Sequence, residues 1–414
     1  MYVFDTDVAV LGAGPGGATA SIFLSRENID HVVLEKAVYP RDKVCGDALS
    51  GKVVAVLNSI NPQIAYDFDK SPDYTNCWGV QFIAPNGRAL DIPFRKDKSE
   101  QPYAPGFIAK RQVFDNYIFG LIDSSRADVR QGCTVKDVRD TGDAIEIDFT
   151  AGGEEKTGRA KIVIGAEGDR SVVAKKLAGH KMDRRYYAAG LRAYYKNVGR
   201  MHEQNFIELH YIKDVLPGYL WIFPLPNNEA NVGIGLLSEK LENKSLNLKK
   251  MMLEQLESHP GLKQRFAGAE LVDSIRGWGL PLGSIKRNLS GERFMLVGDA
   301  GSLIDPFTGE GIGNAMVSGR FAGKLAAKAI RENNYSAAFM KEYENQVYTK
   351  LWDELRLSYT IQRLVNFPWL FNFVVNHALR NKTVQETMSC MFEDLNMRAK
   401  LKSPGFYFKL LFDF

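Results

Sequence analysis

The stretch Val8-Ala9-Val10-Leu11-Gly12-Ala13-Gly14-Pro15-Gly16-Gly17 opens the chain with a short apolar run that breaks into glycines. Residues Phe4 to Leu11 read as a buried strand, and Ala18 to Ser25 (ATASIFLS) as a helix with small residues on its first turn. Asp30 to Glu35 (DHVVLE) reads as a second strand that ends in an acid. The spacing predicts a strand–turn–helix–strand unit with Gly12, Gly14 and Gly17 at the G-x-G-x-x-G positions. In such a unit the first glycine permits the tight turn, the second lets a phosphate approach the backbone, and the third lets helix and strand pack closely. A pyrophosphate then sits on the helix N-terminus, after a turn whose Pro15 is also a candidate cofactor contact, where N–H groups and the dipole favour negative charge. Glu35 stands where an acid hydrogen-bonds a ribose hydroxyl, and its charge disfavours a 2′-phosphate. The unit therefore predicts a bound dinucleotide and leaves FAD and NAD both open.

A second glycine segment lies far downstream. Arg293 to Gly319 reads RFMLVGDAGSLIDPFTGEGIGNAMVSG, with a strand over Phe294 to Val297, a turn at Gly298-Asp299, and a helix starting near Gly311. This arrangement resembles the second FAD motif of the glutathione-reductase-like flavoproteins, in the branch containing p-hydroxybenzoate hydroxylase. The resemblance implies FAD. It implies that Asp299 hydrogen-bonds the ribityl chain and that the helix from Gly311-Ile312 points at the pyrimidine edge of the flavin, where the reduced ring carries negative charge. By the same resemblance Arg111, in RQVFD, contacts FAD near the pyrophosphate, and Lys36, Val135 and Pro306 complete the cofactor contacts. Read from the residues alone, Arg111 is instead a helix-surface ion-pair partner for Asp115. Ile162 to Ser171 (IVIGAEGDRS) resembles a strand and turn that other members write with aspartate in place of Glu167, which leaves Glu167 without an assigned role.

Two further segments narrow the family. Tyr39 to Leu49 reads YPRDKVCGDAL, and Pro217 to Pro224 reads PGYLWIFP, followed by ANVGIG at Ala230 to Gly235. Within YLWIF, Tyr219, Trp221 and Phe223 share one strand face while Leu220 and Ile222 share the other. Three aromatics on one face make either a sheet-packing core or the wall of a pocket for a long apolar substrate. The Pro-x-Tyr-x-Trp-x-Phe-Pro string, after an acidic strand (Phe206 to Tyr211) and before an Asn-Val-Gly strand, resembles the geranylgeranyl reductase family. Those enzymes saturate isoprenoid double bonds in archaeal lipids, chlorophyll side chains and menaquinone tails.

That resemblance covers the chain to about residue 330 and implies reduction of a long apolar isoprenoid substrate lined by Tyr219, Trp221 and Phe223. It places Cys45 close to the isoalloxazine, with Gly46 letting the backbone approach, and sets Arg41 and Lys43 to lower the thiol pKa or bind a phosphate. The other reading of Cys45 is a small residue filling space beside the flavin. Many members carry glycine where this chain has Ala48. The implied chemistry adds a hydride equivalent and a proton across an alkene, with Cys45, Tyr219 or an ordered water as the acid. The rival within flavoproteins is an aromatic monooxygenase or a halogenase, whose Trp-x-Trp-x-Ile-Pro string this chain matches only in part. A rival of another class is a non-catalytic flavin-containing carrier. With no second G-x-G-x-x-G for a nicotinamide domain, the electron donor is expected to be transiently bound NAD(P)H or a ferredoxin or flavodoxin.

Bulk properties agree with an ordinary globular enzyme. The chain has 414 residues, 45% hydrophobic and 25% charged, with a net charge of +4. That near balance argues against a nucleic-acid binder. Cys45, Cys77, Cys133 and Cys390 are scattered, so neither a zinc site nor a disulfide framework is expected. No signal sequence or run long enough to span a membrane is read, and the expected location is cytoplasmic. The expected fold is α/β: an interrupted Rossmann-like FAD-binding domain (1–75, 110–172 and 285–335), a mostly antiparallel β-sheet substrate domain (76–109 and 173–284), and a C-terminal helical region (336–414). In that last region, aromatics around Pro368 and the end Ser403 to Phe414, preceded by Arg398, Lys400 and Lys402, suit either a helical core or a bilayer interface with peripheral membrane contact.

Overall fold

The computed structural model describes residues 2–95, 102–243 and 245–381. The described residues form two compact units. The first comprises residues up to Lys43, Arg111–Tyr187 and Leu280–Ser358, and the second Val44–Lys110, Ala188–Gly279 and the residues from Tyr359 onward. The fold is the expected mixed α/β arrangement.

The first unit is built on a parallel sheet whose strands run in the order Phe294–Leu296, Glu154–Gly165, Asp5–Leu11, His31–Glu35, Ala127–Gln131. Parallel sheets are covered on both faces, and the strands read accordingly: Val8 to Leu11 and all of His31–Glu35 are buried. A meander of Cys133–Asp140 and Ile145–Ala151 continues antiparallel from the long strand Glu154–Gly165. The helix Pro15–Arg26 begins at Pro15, earlier than the apolar pattern suggested, because proline is suited to a first helical turn. It packs against the helix Ile312–Glu332 at very short range: a side chain at Gly319 would run into the Gly16 carbonyl. The two glycine segments of the sequence are therefore packed against each other.

The second unit holds a sheet ordered Glu270–Leu271, Tyr187–Lys196, Glu229–Leu237, Tyr219–Leu225, Ile207–His210, Gly79–Ile83, Ala89–Pro93. Its pairs are antiparallel except Ile207–His210 with Gly79–Ile83. One face packs on the helix Leu248–Ser258, and Leu220 and Ile222 belong to that core with Met252 and Leu256. Burying a side chain of this size contributes about 1.5–3 kcal/mol.

Two boundaries differ from the sequence expectation. Residues 44–75 belong to the second unit because Ala48–Leu49 and Thr75–Cys77 both pair with Gly106–Ile108 in a small three-stranded sheet. Residues 336–358 belong to the first unit because the helix Ala337–Leu364 clamps the segment before the second glycine motif. There Tyr343 donates to the Leu296 carbonyl at 2.5 Å, and the Leu289 N–H donates to Glu344 at 3.0 Å. Helix Pro368–Ala378 follows a break at Phe367, as the proline required. Cys390 and the aromatic and basic end from Arg398 to Phe414 lie outside the described residues.

Candidate active site

In the first unit the glycine turn is a tight backbone cradle. A side chain on Gly17 would strike the Gly12 carbonyl, and Gly12 itself has φ +98°, so neither position accepts a larger residue without strain. Gly14 caps the helix Pro15–Arg26 with no side chain of its own to offer the first-turn N–H groups. The Arg41 guanidinium lies 3.5 Å from where a Gly14 Cβ would be. Arg41 is also paired with Asp115 at 2.8 Å, and Asp115 is gripped on its other side by Arg111 at 2.6 and 2.7 Å. The ion pair of Arg111 with Asp115 is thus present, buried, and shared with a second arginine. Tyr39 completes the rim: it stacks on Phe119 at 4.1 Å and donates its hydroxyl to the Ala13 carbonyl at 2.8 Å.

Glu35 is buried and accepts the Ala13 N–H at 2.7 Å and the Ala37 N–H at 2.8 Å. Each carboxylate oxygen can accept a further bond. Lys36 is exposed, and Val135 packs beside the core of the meander. In the second glycine segment Asp299 sits in a single 3-10 turn, Gly298–Gly301, with Lys43 at 4.0 Å. Pro306 is buried in a loop shaped by Asp305, whose carboxylate accepts the Phe307 and Thr308 N–H groups at 2.9 and 2.8 Å. Gly311 is the N-cap of the helix Ile312–Glu332, again without a side-chain cap, and Ile312 is its buried first residue. A bare helix start at Pro15, a backbone cradle and two arginines on one carboxylate fit a nucleotide with a diphosphate; at the second helix start the Gly313 N–H is already taken by the Glu310 carboxylate at 2.7 Å.

The second unit contains the thiol. Cys45 is partly exposed, and its turn is fixed to the aromatic strand Tyr219–Leu225 and to its neighbour Glu229–Leu237. Asn231, fully buried, donates to the Cys45 carbonyl at 2.7 Å and to the Asp47 carboxylate at 2.8 Å, and accepts from the Trp221 indole N–H at 2.8 Å. Tyr194 donates to the same Asp47 oxygen at 2.8 Å. Asp47 holds φ +70°, a conformation stabilised here by these bonds. Gly46 lies flat on Phe223: an added Cβ would be 2.8 Å from the ring. The Trp221 indole covers Gly233 so closely that any side chain there would meet it, which accounts for the glycine of the Asn-Val-Gly string.

Tyr219, Trp221 and Phe223 share the face opposite Leu220 and Ile222, as the alternation required. Trp221 and Phe223 are buried, and Tyr219 is half-buried beside Tyr211, with ring centres 5.6 Å apart. Arg41 and Lys43, expected to lower the thiol pKa or bind a phosphate, pair with Asp115 and Asp299, and Arg41 also lies beside the Gly14 turn. Cys77 and Cys133 are buried, and burial pushes the Cys77 thiol up to about 12.

Sequence reading missed Asp47, Tyr194 and Asn231. Tyr194 carries no motif, and Asp47 stands in YPRDKVCGDAL without a role of its own. Asn231 was visible in ANVGIG but only as a mark of the family. Glu167, left without a role, caps the short helix Val172–Lys176: it accepts the Val172 N–H at 3.0 Å and the Ser171 hydroxyl at 2.7 Å.

The family of the FAD binding domain matches residues 5–349. Digeranylgeranylglycerophospholipid reductase of Methanosarcina acetivorans is 31% identical over 361 residues, which is 84% of this chain and 80% of that protein. The chain belongs to the digeranylgeranylglycerophospholipid reductase family. The family member from Methanothermobacter thermautotrophicus is 31% identical over 86% of this chain and 85% of its own length. Among solved structures, a geranylgeranyl bacteriochlorophyll reductase-like protein from Thermoplasma acidophilum superposes with a TM-score of 0.78 at 25% identity, covering 92% of each chain. A flavin-dependent brominase superposes with a TM-score of 0.76 at 20% identity over 96% of this chain and 97% of its own, which is a likeness of fold. This member of the reductase family is an FAD-dependent oxidoreductase.

Proposed function

We propose that this protein saturates carbon–carbon double bonds in the isoprenoid chains of a glycerophospholipid. The observation that carries this reading is the Cys45–Asp47 turn pinned by Asn231 onto a strand of three aromatics, in a chain of the reductase family. An isoprenoid presents shape and π-electrons and almost no hydrogen-bonding groups, which an aromatic face suits.

When bound and reduced, FAD supplies the hydride equivalent. The chain's own residues have three tasks. Gly12, Gly14, Pro15 and Gly17 receive the diphosphate, with Arg41 and Arg111 neutralising it and Glu35 taking the ribose. Asp299 and the helix start at Gly311-Ile312 hold the ribityl chain and ring, with Lys36, Val135 and Pro306 at the margins. Tyr219, Trp221 and Phe223 orient the alkene, and the Cys45 thiol or the Tyr219 hydroxyl holds the proton that the second alkene carbon receives. The electrons come from outside, from NAD(P)H or a small redox protein such as a ferredoxin or flavodoxin.

The test is anaerobic incubation of dithionite-reduced holoenzyme with unsaturated isoprenoid glycerophospholipid, read by mass spectrometry. Increments of two hydrogens per double bond are expected. No change in lipid, diphosphate or quinone substrates overturns the reading, as does an oxygen-dependent hydroxylated or halogenated product.

A further inference from the structure

The second unit ends, within the described residues, in a helix that is apolar on two sides. Pro368–Ala378 buries Phe371, Val375 and Ala378. Phe371 meets Tyr211 at a ring distance of 4.6 Å, and Asn372 and Asn376 accept from the Asn86 N–H at 3.1 Å and the Arg88 guanidinium at 2.9 Å. These contacts fix which side faces the protein. The other side carries Trp369 and Phe373, four residues apart and therefore on one face, and they are 69% and 49% exposed. Leu364 and Phe367, just before the helix, and Leu379, just after it, are also exposed. Five of the eleven exposed large apolar residues among those described thus fall within this one short stretch.

Its charge is as one-sided as its hydropathy. From Tyr359 to Asn381 there is no Asp or Glu, while Arg363 precedes the aromatics and Arg380 follows them, both exposed. Outward tryptophan and phenylalanine between arginines are the composition of a helix that lies in a bilayer interface, with rings at headgroup depth and cations on anionic lipid. The helix has 11 residues, and no described helix is long and apolar enough to cross a membrane, so it lies in the interface plane. A second copy docked through the same face would bring Arg363 and Arg380 against a surface that offers no acid to pair with them.

We infer that this aromatic elbow, Leu364, Phe367, Trp369 and Phe373 with Arg363 and Arg380, is a docking surface for an anionic lipid bilayer. The inference deepens the proposed lipid-reductase function by saying where the protein meets its substrate's phase. It assigns a membrane contact to a helix packed on the second unit's sheet, beside the one expected of the chain's aromatic and basic end.

The test uses full-length holoenzyme and vesicles of saturated phosphatidylcholine, with and without phosphatidylglycerol. These lipids have no double bond to reduce, so vesicle binding is read independently of turnover, and either reading can fail alone. Wild type is expected to float with anionic vesicles. The double variant Trp369→Ser, Phe373→Ser is expected to lose roughly tenfold or more of that partitioning, because two interfacial rings are removed at positions outside the core. Its FAD spectrum and thermal midpoint should be unchanged. Absence of wild-type binding overturns the inference, as does equal binding by the variant. A fall in oligomeric mass on making the variant, seen by light scattering, also overturns it and makes the face a contact between copies. Binding lost on removing residues 382–414, with the double variant still binding, overturns it in favour of the chain's end.

Discussion

The Asn231 side-chain amide donates to the Cys45 carbonyl oxygen at 2.7 Å, tying the thiol's turn to a strand that lies 186 positions further along the chain. The same side chain bonds Asp47 and Trp221, so one residue sets both the turn and the indole. Asn231→Leu leaves the Asp47 carboxylate with one fewer donor and the Trp221 N–H without its acceptor, at a cost of about 1–3 kcal/mol. The FAD spectrum should survive, since no cradle residue changes, while turnover on an isoprenoid lipid falls by roughly tenfold or more. Asn231→Asp is more informative. It keeps the acceptor for Trp221 but sets a second carboxylate against Asp47, and two such groups ionise together only with difficulty. Activity of that variant should therefore recover as pH falls, and a pH profile parallel to that of wild type would sink the account.

Cys45→Ala separates chemistry from packing. The residue is small and partly exposed, so its removal leaves the turn's bonds from Asn231 and Tyr194 intact. We expect a yellow, folded protein whose turnover is reduced by roughly a hundredfold, in the range expected for loss of a general acid. Full activity would remove the thiol from the reaction and leave Tyr219 as the acid to test by Tyr219→Phe.

The contrast between these residues shows what was legible in the sequence. Gly12 to Gly17 and Asp299 stand in local strings whose glycines are required by close backbone approach, so each could be read within its own window. The opposed faces of Tyr219–Leu225 followed from simple alternation. The bond between Tyr194 and Asp47 had no such signal, because it joins residues far apart in the chain and depends on strand register. Arg41 and Lys43 were read by proximity in sequence to Cys45, yet their charges are taken by Asp115 and Asp299, which only the fold brings near. Residues 44–75 were misplaced for a related reason: a strand of two residues, Ala48–Leu49, has too little pattern to announce its partner.

Glycine positions divide by what their missing side chain would meet. At Gly319 an added methyl runs into the Gly16 carbonyl, a backbone atom within the glycine-turn helix that has nowhere to go. Gly319→Ala should cost about 1–3 kcal/mol and weaken FAD retention, because the cradle itself must shift. At Gly46 the added methyl meets the edge of the Phe223 ring at 2.8 Å, and a side chain can turn aside. Gly46→Ala should therefore cost less stability while perturbing turnover more. Urea denaturation with parallel FAD titration checks both, and equal stability losses would refute the distinction.

Glu167 offers a prediction in pH. The residue is partly exposed, but its carboxyl is turned onto the Ser171 hydroxyl and the Val172 and Val173 N–H groups. Burial pushes this carboxyl above its ordinary value, and the hydrogen bonds offset that only in part. A carboxyl raised on folding holds its proton more tightly in the native chain than in the unfolded one. Its contribution is fully present below the ordinary carboxyl range and is lost as pH rises through the raised native value. Glu167→Gln cannot titrate and keeps an acceptor for the helix N–H groups. Measured against that variant, wild type should be relatively most stable in acid and lose ground as pH rises. Glu167→Ala removes the acceptor for the Val172 and Val173 N–H groups, while the Ser171 hydroxyl still accepts from Ala174, and should cost about 0.5–2 kcal/mol. Thermal midpoints of the three proteins across mildly acid to neutral pH decide the matter, and a difference between wild type and Glu167→Gln that does not vary with pH would show that the carboxyl is not raised.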